Sequence, residues 1–124
     1  MPSMHDPRAG EVWDVVFDPQ VGRKQRGLRP ALVISNDEFN AMRNDLHIVV
    51  PITGTDRGLP FHVRIEAPAA GLTKTSFIMC DQEKSQSIDR FVRKRGQVSG
   101  EILRQAQKIV GRFIDAHRIF GDGA

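Results

Sequence analysis

Short apolar runs joined by short connections fill most of the first hundred residues of this chain. Residues 61–66 alternate strictly between apolar and polar side chains and residues 11–17 alternate loosely, and both patterns are typical of half-buried strands. The other predicted strands are residues 31–35, 46–52, 75–81 and 91–98. Strands of this length and spacing favour an antiparallel barrel or a strongly curved sheet over parallel βαβ units.

The period of the apolar residues changes near the end of the chain. Residues 102, 103, 106, 109, 110, 113 and 114 are apolar and recur at the spacing of one helical face. This segment therefore predicts a helix that packs on the sheet, with Ser99 as the cap of its first turn. A second, short helix is predicted to follow Asn36 and to run to about Met42.

Length and composition indicate one domain. The chain has 124 residues, of which we assign 10–120 to the domain and 1–9 and 121–124 to polar tails. The sequence contains no bilayer-length apolar segment, no signal peptide, no metal-binding motif and no nucleotide-binding glycine loop, so we expect a cytoplasmic protein without a metal or cofactor. Its only cysteine, Cys80, is expected to be a small core residue.

Two clusters of basic residues stand out against a net charge of only +3. The predicted loop 22–30 carries four of these cations, and four more precede or begin the sixth predicted strand: Arg23, Lys24, Arg26 and Arg29 in the loop, and Arg90, Arg93, Lys94 and Arg95 later. Clustered cations indicate an anionic ligand such as a nucleic-acid backbone. A solvated surface is the ordinary alternative for such clusters.

Five sequence segments, taken in order, resemble the MazF/PemK family of bacterial toxins. They are GEVWDVVFDP at 10–19, GRKQRGLRPALVISND at 22–37, VPIT at 50–53, LPFHV at 59–63 and DQ at 81–82. The resemblance covers about residues 10–114 and implies an SH3-like antiparallel β-barrel of the PemK/CcdB-like type with a carboxy-terminal helix. It also implies a homodimer, a cognate antitoxin as partner, and metal-independent cleavage of single-stranded RNA at short sequence motifs.

The resemblance also assigns roles to individual residues. Arg29 and Thr53 occupy the positions of the family's catalytic pair, and Gln25 and Gln82 lie in segments that shape the RNA site. Lys24 stands where many members have an acid, so the sequence leaves the general base unassigned. The segment after Gln82 is about two residues longer than is usual in the family.

The expected chemistry suits these side chains. Metal-free cleavage requires a 2′-hydroxyl to attack the adjacent phosphate, giving 2′,3′-cyclic phosphate and 5′-hydroxyl ends, and the developing charge needs fixed donors. The planar, permanently protonated guanidinium of Arg29 fits that task better than it fits a base, while Thr53 is expected to orient the 2′-hydroxyl or a phosphate oxygen. Among the histidines, His62 is kept as a candidate RNA contact because it follows a Pro-Phe pair near the predicted site.

The loop cations Arg23, Lys24 and Arg26 are expected to hold the RNA backbone, and the same basic surface is expected to bind an acidic, partly disordered antitoxin segment. Two other functions remain open on the sequence. One is a gyrase poison of the CcdB type, which has a similar fold, and the other is a catalytically silent RNA-binding barrel, which Lys24 favours.

Overall fold

Within residues 6–17, 27–42 and 44–115, which the computed structural model describes, the chain forms seven strands and two α-helices. The strands are β1 (Glu11–Val16), β2 (Leu28–Val33), β3 (Leu46–Thr53), β4 (His62–Ile65), β5 (Ser76–Met79), β6 (Lys84–Ser87) and β7 (Phe91–Gln97). The helices are α1 (Asp37–Asn40) and α2 (Gly100–Ile114). The predicted end of the domain, residue 120, and the predicted tail 121–124 lie outside the described residues.

All strand pairs are antiparallel, in the order β4-β5-β3-β2-β1-β7, and β6 pairs separately with β3. The predicted antiparallel sheet with a carboxy-terminal helix is therefore confirmed. No pairing among the described strands joins the edge strands β4 and β7, so hydrogen bonding leaves the sheet open. The polar strand β6, Lys-Ser-Gln-Ser, was not predicted because it has neither apolar periodicity nor β-branched residues.

The start of β2 differs from the prediction. Strand pairing with β1 begins at Leu28, opposite Val16, so Arg29 and Pro30 belong to the strand and not to the preceding loop. The strand was predicted to begin at Ala31, directly after Pro30, which is three residues too late. Pairing with β1 extends the strand to two residues before the proline. Local sequence propensity does not predict pairing with a distant strand.

Two apolar clusters lie on the two faces of the sheet. The larger one lies between the sheet and α2, whose Ala106 and Val110 are buried in it, as the apolar stripe predicts. The smaller one contains Val15, Ala31, Val33 and Val49, with Trp13, Phe17 and Phe91 packed against them.

Side chains cap both helices as predicted. Asn36 accepts a hydrogen bond from the Phe39 backbone N–H at the start of α1, and Ser99 accepts one from Ile102 at the start of α2. In the described ranges, neither helix has the length and apolar character needed to cross a membrane.

Candidate functional site

A change of strand partner along β3 produces a cavity. The first half of β3, Leu46 to Val49, pairs with β6, whereas Ile52 and Thr53 pair with β5. Pro51 lies between these ladders, where its missing N–H costs no hydrogen bond on that edge. A cavity of about 380 Å³ lies here and is lined by Phe17, Gly27, Arg29, Pro51, Arg57, Met79, Gln82 and Lys84.

Three cations line this cavity: Arg29 from β2, Arg57 from the β3–β4 connection and Lys84 from the start of β6. The described lining residues include no carboxylate. Neither the Arg29 nor the Arg57 guanidinium has a hydrogen bond or ion pair with a described residue, so both remain available to a ligand. Convergent cations without counter-charges create a positive potential, and guanidinium groups bind phosphate with two parallel hydrogen bonds. The cavity therefore has the chemistry of a phosphate site.

An aromatic ring forms one end of the cavity. Phe17 follows β1 and is half-buried, and the Lys84 ammonium lies 5.9 Å from the centre of its ring. The Phe17 backbone N–H donates to the Gly27 carbonyl at 2.7 Å. This bond joins two residues of the cavity wall, one at the end of β1 and one just before β2.

The predicted catalytic pair lies on neighbouring strands. Ala31 pairs with Pro51 across β2 and β3, and Arg29 and Thr53 each lie two residues further along in the same register. Because side chains alternate between faces, these two residues project to the face that carries Ala31 and Pro51. Arg29 lines the cavity and is exposed, whereas Thr53 is 9% exposed and does not line it.

The Thr53 hydroxyl makes one structural hydrogen bond and can still donate another. Its oxygen accepts a hydrogen bond from the Thr55 backbone N–H at 3.2 Å, as expected for a residue at a strand end. A hydroxyl also donates one hydrogen, and no described acceptor takes the one on Thr53. The group can therefore donate to a ligand without giving up its structural bond.

Of the predicted RNA contacts, Gln82 lines the cavity beside Arg29. His62 does not line it, because its side chain is 3% exposed and its Nε2 atom lies 3.6 Å from Asp81 Oδ1. The other four predicted contacts, Arg23, Lys24, Gln25 and Arg26, lie outside the described residues. Their role stays a prediction.

The second basic cluster is largely occupied by ion pairs with β1. Arg93 and Arg95 contact the buried Asp14 carboxylate at 3.1 and 3.2 Å, and Lys94 contacts Glu11 at 3.0 Å. Both acids are less than 9% exposed. These three cations therefore pair with acids of β1, whereas no described residue forms an ion pair with Arg29 or Arg57 in the cavity.

Two other titratable side chains, Cys80 and His47, are buried outside the cavity. Burial, followed by the charges of Asp81 and Glu83, raises the pKa of Cys80 to about 12, so its thiol stays protonated in the core as predicted. Burial lowers the pKa of His47, whose Nε2 atom lies 3.1 Å from the Pro7 carbonyl oxygen. Among the described residues, no three His, Cys, Asp or Glu side chains converge as metal ligands would.

Sequence analysis missed Phe17, Arg57 and Lys84 as parts of the site. Arg57 lies in a turn-rich connection, and Lys84 begins the unpredicted strand β6, so neither stands in a recognisable pattern. Phe17 carried a signal, because an aromatic residue that ends a strand just before a cationic loop is well placed to contact a base.

An open antiparallel sheet, a carboxy-terminal helix on one face and a cationic cavity at a strand-partner switch together define a small α+β protein with an anion-binding site. Residues 8–114 match the family described as "PemK-like, MazF-like toxin of type II toxin-antitoxin system". The chain belongs to this family, and the predicted family resemblance is confirmed.

Individual relatives agree with this assignment. The chain is 34% identical to the protein named endoribonuclease MazF9 of Mycobacterium tuberculosis, over 87% of this chain and 96% of the relative. It is 32% identical to endoribonuclease PemK of Escherichia coli, over 85% and 83%. A crystal structure of MazF from Deinococcus radiodurans superposes with a TM-score of 0.73 at 27% identity, covering 89% of this chain and 97% of the other. The fold is thus of the MazF type.

Proposed function

We propose that this protein is the endoribonuclease toxin of a type II toxin–antitoxin pair and that it cleaves single-stranded RNA at a short sequence motif. Family membership and the names of its relatives support the activity. The observation that supports a location for this activity is the unpaired Arg29 guanidinium, which lines a cationic cavity together with Gln82.

The proposed reaction is an internal transesterification. The RNA 2′-oxygen forms a bond to the adjacent phosphorus, the bond from phosphorus to the 5′-oxygen breaks, and the products carry a 2′,3′-cyclic phosphate and a 5′-hydroxyl. The 2′-hydroxyl proton leaves to a base that is not assigned, and the leaving 5′-oxygen gains a proton. Arg29 stabilises the charge on the phosphoryl oxygens, and the free hydrogen of the Thr53 hydroxyl orients a reacting oxygen.

The other lining residues bind the substrate. Arg57 and Lys84 hold phosphates on either side of the scissile one, Phe17 offers a stacking face, and Gln82 reads a base edge. The loop residues Arg23, Lys24, Gln25 and Arg26 complete the RNA surface in this proposal.

An acidic, partly disordered segment of the cognate antitoxin is proposed to cover the same cations. RNA and antitoxin then compete, and calorimetry that found independent binding would refute this overlap. A homodimer and a cytoplasmic location remain part of the proposal. A monomeric mass by light scattering at micromolar concentration would count against the dimer.

The proposed function is tested by incubating the purified protein with a long single-stranded RNA in excess chelator and mapping cut sites and end chemistry. Cuts at one short motif with cyclic phosphate ends are expected, and Arg29→Ala should slow cleavage by about 10²-fold or more, as for loss of one oxyanion donor. Arg64→Ala is the matched control, since Arg64 is an exposed arginine paired with Glu66 and does not line the cavity.

Three outcomes would contradict the proposal. Native-rate cleavage by Arg29→Ala would remove Arg29 from the mechanism. Binding of RNA without cleavage would indicate the silent barrel. Intact RNA together with inhibition of gyrase supercoiling would indicate the CcdB-type poison, an alternative that the relatives' names do not support.

A further inference from the structure

His62 is buried with its polar atoms unsatisfied. Its side chain is 3% exposed, and neither ring nitrogen has a hydrogen-bond partner among the described residues. A buried polar atom without a partner costs free energy, so native proteins rarely keep one without a reason. The nearest charged group is the Asp81 carboxylate, 3.6 Å from Nε2, slightly too far for a hydrogen bond.

Asp81 lies at the corner of a tight turn that forms part of the cavity wall. The Gln82 backbone N–H donates to the Met79 carbonyl at 3.0 Å, so these two residues are the ends of the turn. Both of them line the cationic cavity. Cys80, between them, is fully buried in the core, whereas the Asp81 side chain is 37% exposed. Because Asp81 directly precedes Gln82, a displacement of Asp81 also shifts Gln82 in the cavity wall.

The ring of His62 is held more firmly than Asp81. His62 pairs with Met79 across β4 and β5, and Phe61 packs edge-on against the His62 ring at 5.3 Å. Phe61 in turn packs edge-on against Phe113 of α2 at 5.7 Å. The imidazole is buried and packed against Phe61, which itself packs on α2. The movement that closes the gap of about half an ångström to a hydrogen bond therefore falls to the exposed aspartate.

We propose that His62 is a positioning residue that acts through Asp81: when the Asp81 carboxylate closes this gap, it accepts a hydrogen bond from His62 Nε2–H, which fixes the Met79–Gln82 turn and so sets where Gln82 meets the RNA. His62 then contributes to substrate binding without touching RNA, which differs from the direct contact that the sequence suggested. The inference rests on the proposed function, because it concerns the RNA that occupies the cavity.

The test compares two substitutions of similar size. His62→Leu removes the donor, whereas His62→Gln keeps an amide N–H close to the position of Nε2. The probe is a single-stranded oligonucleotide that carries the mapped cleavage motif with a 2′-deoxy group at the cut nucleotide, which prevents cleavage. His62→Leu should weaken its binding about tenfold, as for loss of a hydrogen bond to a charged group, and His62→Gln should restore most of it. With cleavable RNA, the loss should fall on KM more than on kcat.

Coupling to Gln82 is measured with a double-mutant cycle. Gln82→Ala should weaken binding about tenfold in the wild-type background and less than threefold in the His62→Leu background. If the losses of RNA affinity caused by Gln82→Ala and His62→Leu simply multiply in the double variant, the inference is wrong. A His62→Gln protein that binds as weakly as His62→Leu would also overturn it.

An arm without RNA separates this inference from the proposed function. In the free protein, the backbone amide NMR signals of Asp81 and Gln82 should shift in His62→Leu and return toward their wild-type positions in His62→Gln. Unchanged signals in His62→Leu would overturn the positioning role. If the wild-type protein neither binds nor cuts RNA, but His62→Leu still shows these shifts relative to it, only the proposed function is contradicted.

Discussion

Arg29 and Thr53 lie on the neighbouring antiparallel strands β2 and β3, each two residues beyond the Ala31–Pro51 pair that ends the ladder between these strands. Each of the two residues is held by pairing with its other neighbouring strand, Arg29 with Val15 of β1 and Thr53 with Phe77 of β5, and neither lies in a loop. Residues on rigid elements hold a reactive geometry more precisely than loop residues do.

Replacing the Thr53 hydroxyl tests this arrangement. Thr53→Val keeps the shape of the side chain but removes the donor, and we expect kcat to fall about 10²-fold with a small loss of stability from the Thr55 N–H that loses its acceptor. Thr53→Ser keeps the hydroxyl and should remain within about threefold of wild type. Single-turnover cleavage measures both, and equal rates for the valine and serine variants would remove the hydroxyl from the chemistry.

The two cavity cations that the sequence did not reveal should act as phosphate contacts. Arg57→Ala and Lys84→Ala are each expected to weaken RNA binding and to reduce the slope of log affinity against log salt by about 0.7, the value for one contact to a single strand. Fluorescence anisotropy across a salt series gives that slope. Arg64→Ala serves as the control, and an unchanged slope in both cavity variants would show that neither residue touches a phosphate.

Much of the fold around the site was predictable because it consists of strongly periodic segments. The alternation of residues 61–66, the apolar run that ends at Thr53 and the helical stripe of α2 are local signals, and all three elements form where expected. Arg29 and Gln82 were assigned through motifs shared with the family, and both line one cavity. The role of Thr53 in chemistry is still a prediction.

The remainder depends on contacts between distant residues. Arg93 and Asp14 are 79 positions apart, so the ion pair that occupies this basic cluster follows from the β1–β7 register and not from local sequence. Strand β6 is polar and is held only by its ladder with β3, which explains why it and Lys84 escaped prediction. Pro30 likewise led to a predicted start of β2 that is too late, because pairing with β1 already begins at Leu28.

Asp14 should contribute to stability and not to activity. Asp14→Ala leaves the half-buried Arg95 guanidinium without its carboxylate, and we expect unfolding to become easier by about 2 kcal/mol, below the value for a fully buried pair because Arg93 is mostly exposed. Denaturant unfolding measures this change. Glu66→Ala, which breaks an exposed pair, should have no measurable effect on stability. Reduced cleavage per folded Asp14→Ala molecule would instead place this cluster in RNA binding.

His47 should make the folded protein sensitive to mild acid. Burial lowers its pKa below the ordinary value of 6.5, and this outweighs the opposing effects of the Pro7 carbonyl and of Asp6, Asp45 and Asp37. The unfolded chain therefore binds more protons than the native state in the window just below pH 6.5, so stability rises with pH there and levels off above it. Protonation would also add an N–H at Nδ1, which has no described partner.

The His47 contribution is isolated by urea unfolding between pH 5 and 8 on the wild type and on His47→Gln, whose amide can still donate to the Pro7 carbonyl. The wild type should lose stability as the pH falls below about 6.5, and this component should be absent from the glutamine variant. Parallel pH profiles for the two proteins would assign the acid sensitivity to other groups. An imidazole resonance that titrates above 6.5 in the native state would reverse the expected change of stability with pH.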